Sequence, residues 1–196
     1  PGTGRGWRIG AEAKLGDGGM KLTKKMGLLQ VYTGDGKGKT TASLGLALRA
    51  IGHGMKVCMI QFMKNSDIYG EVRLAEKMPG LTIIPVGRHD FVNLKNPEPI
   101  DIELARAGWE KAKHIIGSKQ YDIVILDEIN VALSCGLLDK AAVVPFLSTG
   151  KGVVEVVATG CWAPQELIDV ADLVTEMKNI RHPYSKGVDS REGIDH

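Results

Sequence analysis

Cysteine is scarce in this sequence. The three residues, Cys58, Cys135 and Cys161, are widely spaced and form no C-x-x-C pair. An odd count without that pair argues against a disulfide framework and against a structural zinc site. A reduced cytoplasm is therefore expected. An excess of one charge is also lacking: 25 Lys and Arg against 23 Asp and Glu leave a formal net charge of +2. A general nucleic-acid binder carries a larger basic surplus, so no nucleic-acid partner is expected. No apolar run reaches the roughly 18 residues that a membrane helix needs. No hydrophobic signal core stands near the start, so neither secretion nor a membrane partner is expected. What is present, 43% hydrophobic and 24% charged residues in 196, is the balance of one globular domain able to bury a core.

The first 25 residues differ from the rest. Residues 1–19 are glycine-rich and aperiodic, and a short basic stretch, Lys21 to Lys25, precedes the first apolar strand. This composition reads as a flexible leader or an appended arm, with a ligand-covering arm as the functional alternative. The domain is placed at residues 26–196, with a polar tail over 179–196.

Short apolar runs then alternate with helical periods. Strands are expected at 28–32, 57–63, 81–86, 121–126, 153–158 and 171–177. Helices are expected over 39–51, from about Asp101 with Gly117 as the stop, over 132–138 and 139–147, and from Pro164. Trp109 falls on the apolar stripe of the second helix and reads as core. Strands alternating with helices, several of them apolar on both faces, imply an α/β fold. Its central sheet should be mostly parallel, of about six strands, with helices on both faces. Ligands bind such sheets beyond the carboxyl ends of the strands.

The motifs stand there. The first strand runs into Gly34-Asp35-Gly36-Lys37-Gly38-Lys39-Thr40-Thr41, and a helix follows. Glycines let successive N–H groups curl round a phosphate, and the helix N-terminus adds partial positive charge. Lys39 can reach the outer phosphates and Thr40 can offer a hydroxyl to Mg²⁺. The strict G-x-x-x-x-G-K-[ST] pattern is broken at its first position, which is Thr33. Asp127-Glu128 follows the apolar strand YDIVIL. With the phosphate loop, that acidic pair suits the metal side of an ATP site, with Mg²⁺ or Mn²⁺ as the ion.

Several segments together resemble one family, the phosphate-loop ATP:corrinoid adenosyltransferases. They are VYTGDGKGKTTASLGLALRAIGHG, VCMIQFMK with Gly70-Glu71 downstream, YDIVILDEINVALSCGLL, and APQELIDVADLVTEM followed by IRHPYSKGVDSREGID. The resemblance implies a phosphate-loop NTPase-like fold. It also implies transfer of the 5′-deoxyadenosyl group of ATP to the Co(I) of a reduced corrinoid, cob(I)alamin or a precursor, with release of triphosphate. It places Gly34, Asp35, Gly36, Lys37, Gly38, Lys39, Thr40 and Thr41 against the nucleotide. Lys39, Thr40 and Glu128 become the catalytic candidates, and Thr40, Asp127 and Glu128 the metal side. A reductant protein and a homodimer are implied partners. Glu71 and His182–Pro183 fall in matching segments without a stated role.

Two loops depart from the family pattern. Cys161, in Thr159-Gly160-Cys161-Trp162, stands where the family carries a phosphate-facing arginine, leaving Lys37 and Arg181 as candidate substitutes. Gly87-Arg88-His89-Asp90-Phe91-Val92 replaces a segment richer in aromatics, leaving Phe91 to line a corrin and His89 as a weaker substrate candidate. Two rival readings remain at this level: a small-molecule kinase using Arg181 or Arg191 near the γ-phosphate, and a nucleotide-binding regulatory module.

Overall fold

Six apolar segments form the strands: β1 (Leu29–Thr33), β2 (Val57–Phe62), β3 (Leu81–Val86), β4 (Ile123–Asp127), β5 (Glu155–Thr159) and β6 (Leu173–Glu176). A computed structural model of the chain describes residues 27–65, 69–90, 92–150 and 152–195. The expected leader and Phe91 lie outside the described residues. All strand pairs are parallel, in the order β3-β2-β4-β5-β1-β6. β2 and β4 are buried along their whole length, as strands covered on both faces must be.

Alternate residues of each strand feed two cores. One face carries Cys58, Ile60, Phe62, Val124, Leu126 and Val156. Against it pack α3 (Pro99–Ser118), α4 (Ile129–Ser134), α5 (Lys140–Thr149) and α6 (Gln165–Val170). The other carries Val57, Met59, Ile123, Ile125 and Val157, covered mainly by α1 (Lys39–Gly52) and, at its edge, by α2 (Gly70–Ala75). Trp109 is core, as its stripe implied. It is buried on α3 and meets the Phe146 ring edge-on at 5.3 Å between centroids.

Two expectations are corrected. Gly117 does not stop α3. The helix runs on to Ser118 and ends at Lys119, whose φ of 56° is left-handed. Helix α2 was not foreseen, since six residues are too few to show a period. Beyond β6 the described tail has one helical turn, Pro183–Lys186.

The order of strands fixes where chemistry can occur. The carboxyl ends of β1, β5, β4 and β2 lie side by side, each followed by a turn into a loop or helix. Edge strand β6 closes the row beside β1, and all four of its residues are exposed.

Candidate functional site

The phosphate loop occupies residues 34–38 between β1 and α1. Gly38 stands at the N-cap of α1 with φ 117°, and no side chain caps the helix. The first-turn N–H groups of a 14-residue helix are thereby presented at the loop, the arrangement that receives phosphate oxygens. Lys39 is the first helical residue and is buried. Its Nζ donates to the Gly34 carbonyl at 2.9 Å and the Gly36 carbonyl at 2.7 Å. The ammonium thus spans the loop from beneath and neutralises carbonyls that would otherwise repel an anion.

The loop is walled by the far end of the chain. The Gly36 N–H donates to the Met177 carbonyl at 2.7 Å, just beyond β6. Gly34, at φ 100°, passes so close that a Cβ there would lie 2.3 Å from that carbonyl oxygen. Only glycine fits, for its conformation and for its size.

Beside the loop stands Asp127, the last residue of β4, with no exposed surface. Its Oδ1 accepts from the Thr40 hydroxyl at 2.8 Å and the Thr159 hydroxyl at 2.7 Å. Its Oδ2 accepts from Lys64 Nζ at 2.8 Å and, more weakly, from Gln61 Nε2 at 3.4 Å. Gln61 Nε2 also donates to Glu71 Oε1 at 3.0 Å. One carboxylate therefore ties together α1, β2, β5 and the turn after β2.

Glu128 follows in a left-handed conformation, φ 63°, and its N–H donates to the Thr159 hydroxyl at 3.1 Å. Burial raises its carboxyl above the usual carboxylate value, and the adjacent Asp127 adds to the rise against the opposing pull of Lys64 and Lys39. Burial alone would lower the Lys64 ammonium. The charges of Asp127, Glu128 and Glu71 and the bond to Asp127 outweigh it, so Lys64 titrates above the usual lysine value and stays charged. Asn130, also buried, donates to the carbonyls of Tyr32 and Gly160 and joins the ends of β1 and β5.

The oxygens of Thr40 and Asp127, hard donors at the loop exit, are the kind that Mg²⁺ takes. Gln61 Oε1 is buried nearby without a partner, a further oxygen available to an ion or its water. Among the described residues no group of three or more His, Cys, Asp or Glu could hold an ion unaided. The donor set therefore fits a metal that keeps waters and takes phosphate oxygens, as Mg²⁺ does. A cavity of about 350 Å³ opens beside it, lined by Thr40, Thr41, Lys64, Tyr69, Glu71 and the tail residue Ile194.

The structure brings Gly34, Gly36, Gly38, Lys39, Thr40, Thr41, Asp127 and Glu128 to one end of the sheet. Two loop residues face elsewhere in this conformation. Asp35 accepts from the Asn179 N–H at 3.1 Å. Lys37 pairs with Asp195, which Arg191 also holds at 3.0 Å. These contacts fold the tail against the phosphate loop. His182 accepts from the Tyr184 N–H, a local turn bond, and His89 is exposed. Cys161 is half-buried, so it is not a fully buried core residue. Its neighbour Trp162 is 62% exposed in a left-handed conformation, with its carbonyl held by the Ser134 hydroxyl.

Sequence reasoning missed Gln61, Lys64, Thr159 and Asn130. A signal existed for two of them. Gln61 and Lys64 interrupt or end the run VCMIQFMK at a strand's carboxyl end, where this fold places ligands.

Comparison with known proteins agrees with this geometry. Residues 25–196 match the family described as ATP:corrinoid adenosyltransferase BtuR/CobO/CobP. A corrinoid adenosyltransferase of a Sinorhizobium species is 41% identical over 176 residues, covering 88% of this chain and 82% of that protein. One from Pseudomonas aeruginosa is 33% identical over 169 residues, covering 86% and 83%. In fold, the flagellar accessory protein FlaH of Methanocaldococcus jannaschii is similar, with a TM-score of 0.51 at 12% identity, covering 76% of this chain and 70% of that one. With a family match that spans all of the described residues and relatives above 30% identity over most of both chains, this chain belongs to the ATP:corrinoid adenosyltransferase family.

Proposed function

We propose that the protein transfers the 5′-deoxyadenosyl group of ATP to the Co(I) centre of a reduced corrinoid, cob(I)alamin or a precursor. The Co(I) electron pair forms the bond to C5′. The C5′–O bond breaks, its electrons leave with the triphosphate, and cobalt ends as alkylated Co(III). The protein supplies no nucleophile in this reaction. Its tasks are to hold the leaving group, align C5′ and exclude water.

The observation that carries the reading is the phosphate loop with Lys39 beneath it and the Thr40 hydroxyl against buried Asp127. Negative charge grows on the α-phosphate oxygen as C5′ departs. Lys39 and the uncapped N–H groups of α1 are preorganised to meet it. Mg²⁺, or Mn²⁺, would be held by Thr40 and Asp127 with Glu128 adjacent, and would supply charge neutralisation on the triphosphate. A reductant protein belongs to the same reading, because each corrinoid substrate must first be reduced to Co(I), and so does a reducing, cytoplasmic setting. Among the described residues no helix is long and apolar enough to cross a membrane. The exposed edge strand β6 and the commonness of two-fold pairs support a homodimer.

The test is to incubate the protein with ATP, Mg²⁺ and chemically reduced cobalamin. A light-sensitive adenosyl product with one triphosphate per turnover is expected. ADP as the product would instead make the protein a kinase, and neither product would make it a binding module.

A further inference from the structure

Among the described residues, Lys64 is the one cation in direct contact with Asp127, the carboxylate expected on the metal side. Its side chain is only 16% exposed and its Nζ stands 5.2 Å from the centre of the Tyr69 ring. A lysine is rarely buried to this degree unless its partner demands it. The backbone is shaped to put it there. Met63, immediately before it, has φ 60°, a left-handed conformation that is costly for an unbranched long side chain and is kept only where the surroundings enforce it. The enforcement is visible: the Met63 N–H is fixed to the Val86 carbonyl at 2.9 Å. Gly87 passes so close that a Cβ would lie 2.6 Å from the Lys64 backbone nitrogen. This strained turn re-aims the chain at the end of β2, and the ammonium lands on the rim of the cavity that Thr40 and Thr41 share.

We propose that Lys64 is a catalytic cation for the leaving triphosphate, stored on Asp127 until a metal ion claims the same carboxylate. The proposal rests on the metal-side reading of Thr40 and Asp127. A divalent ion on the Thr40 side, at Asp127 Oδ1, would neutralise the charge that holds Lys64 on Oδ2 and repel the ammonium across the carboxylate. When the ion arrives with the nucleotide, Lys64 is released within reach of the same cavity, where phosphate oxygens are the anions left to neutralise. Before the ion binds, the Asp127 charge is thus balanced, and the cation is already in the desolvated site when charge develops on the triphosphate.

The test uses inorganic tripolyphosphate, the leaving group alone, so that it needs neither corrinoid nor turnover. Its affinity is measured by titration calorimetry for the wild-type protein and for Lys64→Met, in Mg²⁺ and in EDTA. Lys64→Gln, which keeps a hydrogen-bond donor for Asp127, is the second variant should Lys64→Met fold poorly, and thermal melts check both. Loss of a charge-assisted contact weakens binding by about tenfold or more. That loss is expected in Mg²⁺, with a change below about twofold in EDTA, where Lys64 stays on Asp127. Equal loss in both conditions would mean that Lys64 only supports the structure. No loss in Mg²⁺ would mean that it never meets the phosphates. Either result overturns the proposal. Wild-type protein that binds no tripolyphosphate at all overturns the phosphate-loop reading, and this inference with it.

Discussion

The Lys64–Asp127 pair sets a measurable coupling energy. The two atoms are 2.8 Å apart, and Asp127 has no exposed side-chain surface. Removing one member of such a buried pair costs about 3–5 kcal/mol, because the other is left charged and unpaired. For Lys64→Met the lower end, about 3 kcal/mol, applies, since Asp127 keeps the hydroxyls of Thr40 and Thr159 and the Gln61 amide. For Asp127→Asn the cost is again about 3 kcal/mol: the ammonium loses the full charge in contact with it and keeps, among the described residues, the Tyr69 ring and the more distant charges of Glu71 and Glu128. The double variant buries no net charge. It should lose about 3–4 kcal/mol, not the sum of about 6, which is a coupling of at least about 2 kcal/mol. Urea unfolding of the four proteins without nucleotide measures this. Losses that add within about 0.5 kcal/mol would refute the idea that the two charges depend on each other.

Three further outcomes are expected. Glu128→Gln should stabilise the nucleotide-free protein at pH 7. A carboxyl whose folded value is raised above the unfolded 4.5 contributes stability below 4.5 and loses it as pH rises through the folded value. The difference in melting temperature should therefore vanish as pH falls below 4.5, and a difference independent of pH would refute it. Gly34→Ala should cost about 2–3 kcal/mol or more and abolish nucleotide binding, because its Cβ meets the Met177 backbone and not a movable side chain. An unchanged melting temperature would show that β6 yields. Cys161→Arg should tighten ATP binding by about tenfold through a charge-assisted contact. Because Cys161 is half-buried, the melting temperature should hold, and weaker binding with a lower melting point would count against a phosphate-facing position.

What was legible in the sequence is what is contiguous in it. Lys39 and Thr40 lie in an unbroken run after an apolar strand, and Asp127 ends another such strand, so each could be found alone. The sheet order β2-β4-β5 could not be read from the same patterns. That order brings Gln61, Asp127 and Thr159 together from successive strand ends 66 and 32 residues apart. Lys64 was missed because a left-handed turn at a methionine carries no composition signal. Gly117 was misread for the opposite reason. Glycine often ends helices, yet here nothing crowds it and the helix continues to a left-handed lysine. The family resemblance places the loop residues Asp35 and Lys37 against the nucleotide, while their present partners lie in the tail.

The wall that Met177 and Asn179 build against the phosphate loop has a consequence for synthesis. Asp35 and its partner Asn179 are 144 residues apart, so the loop is made early and its backing late. At about 5–20 residues per second, the ribosome delivers that backing roughly 7–30 s after the loop itself. Over that interval β1 has no β6 beside it, and the Gly36 N–H has no Met177 carbonyl to bind. A nascent chain therefore passes through most of its translation with the glycines formed but unsupported. The Gly36 contact and the β1–β6 pairing form only as the last strand adds to the edge of the sheet. Truncated products that stop short of β6 would carry the most recognisable motif of the protein without the wall that backs it.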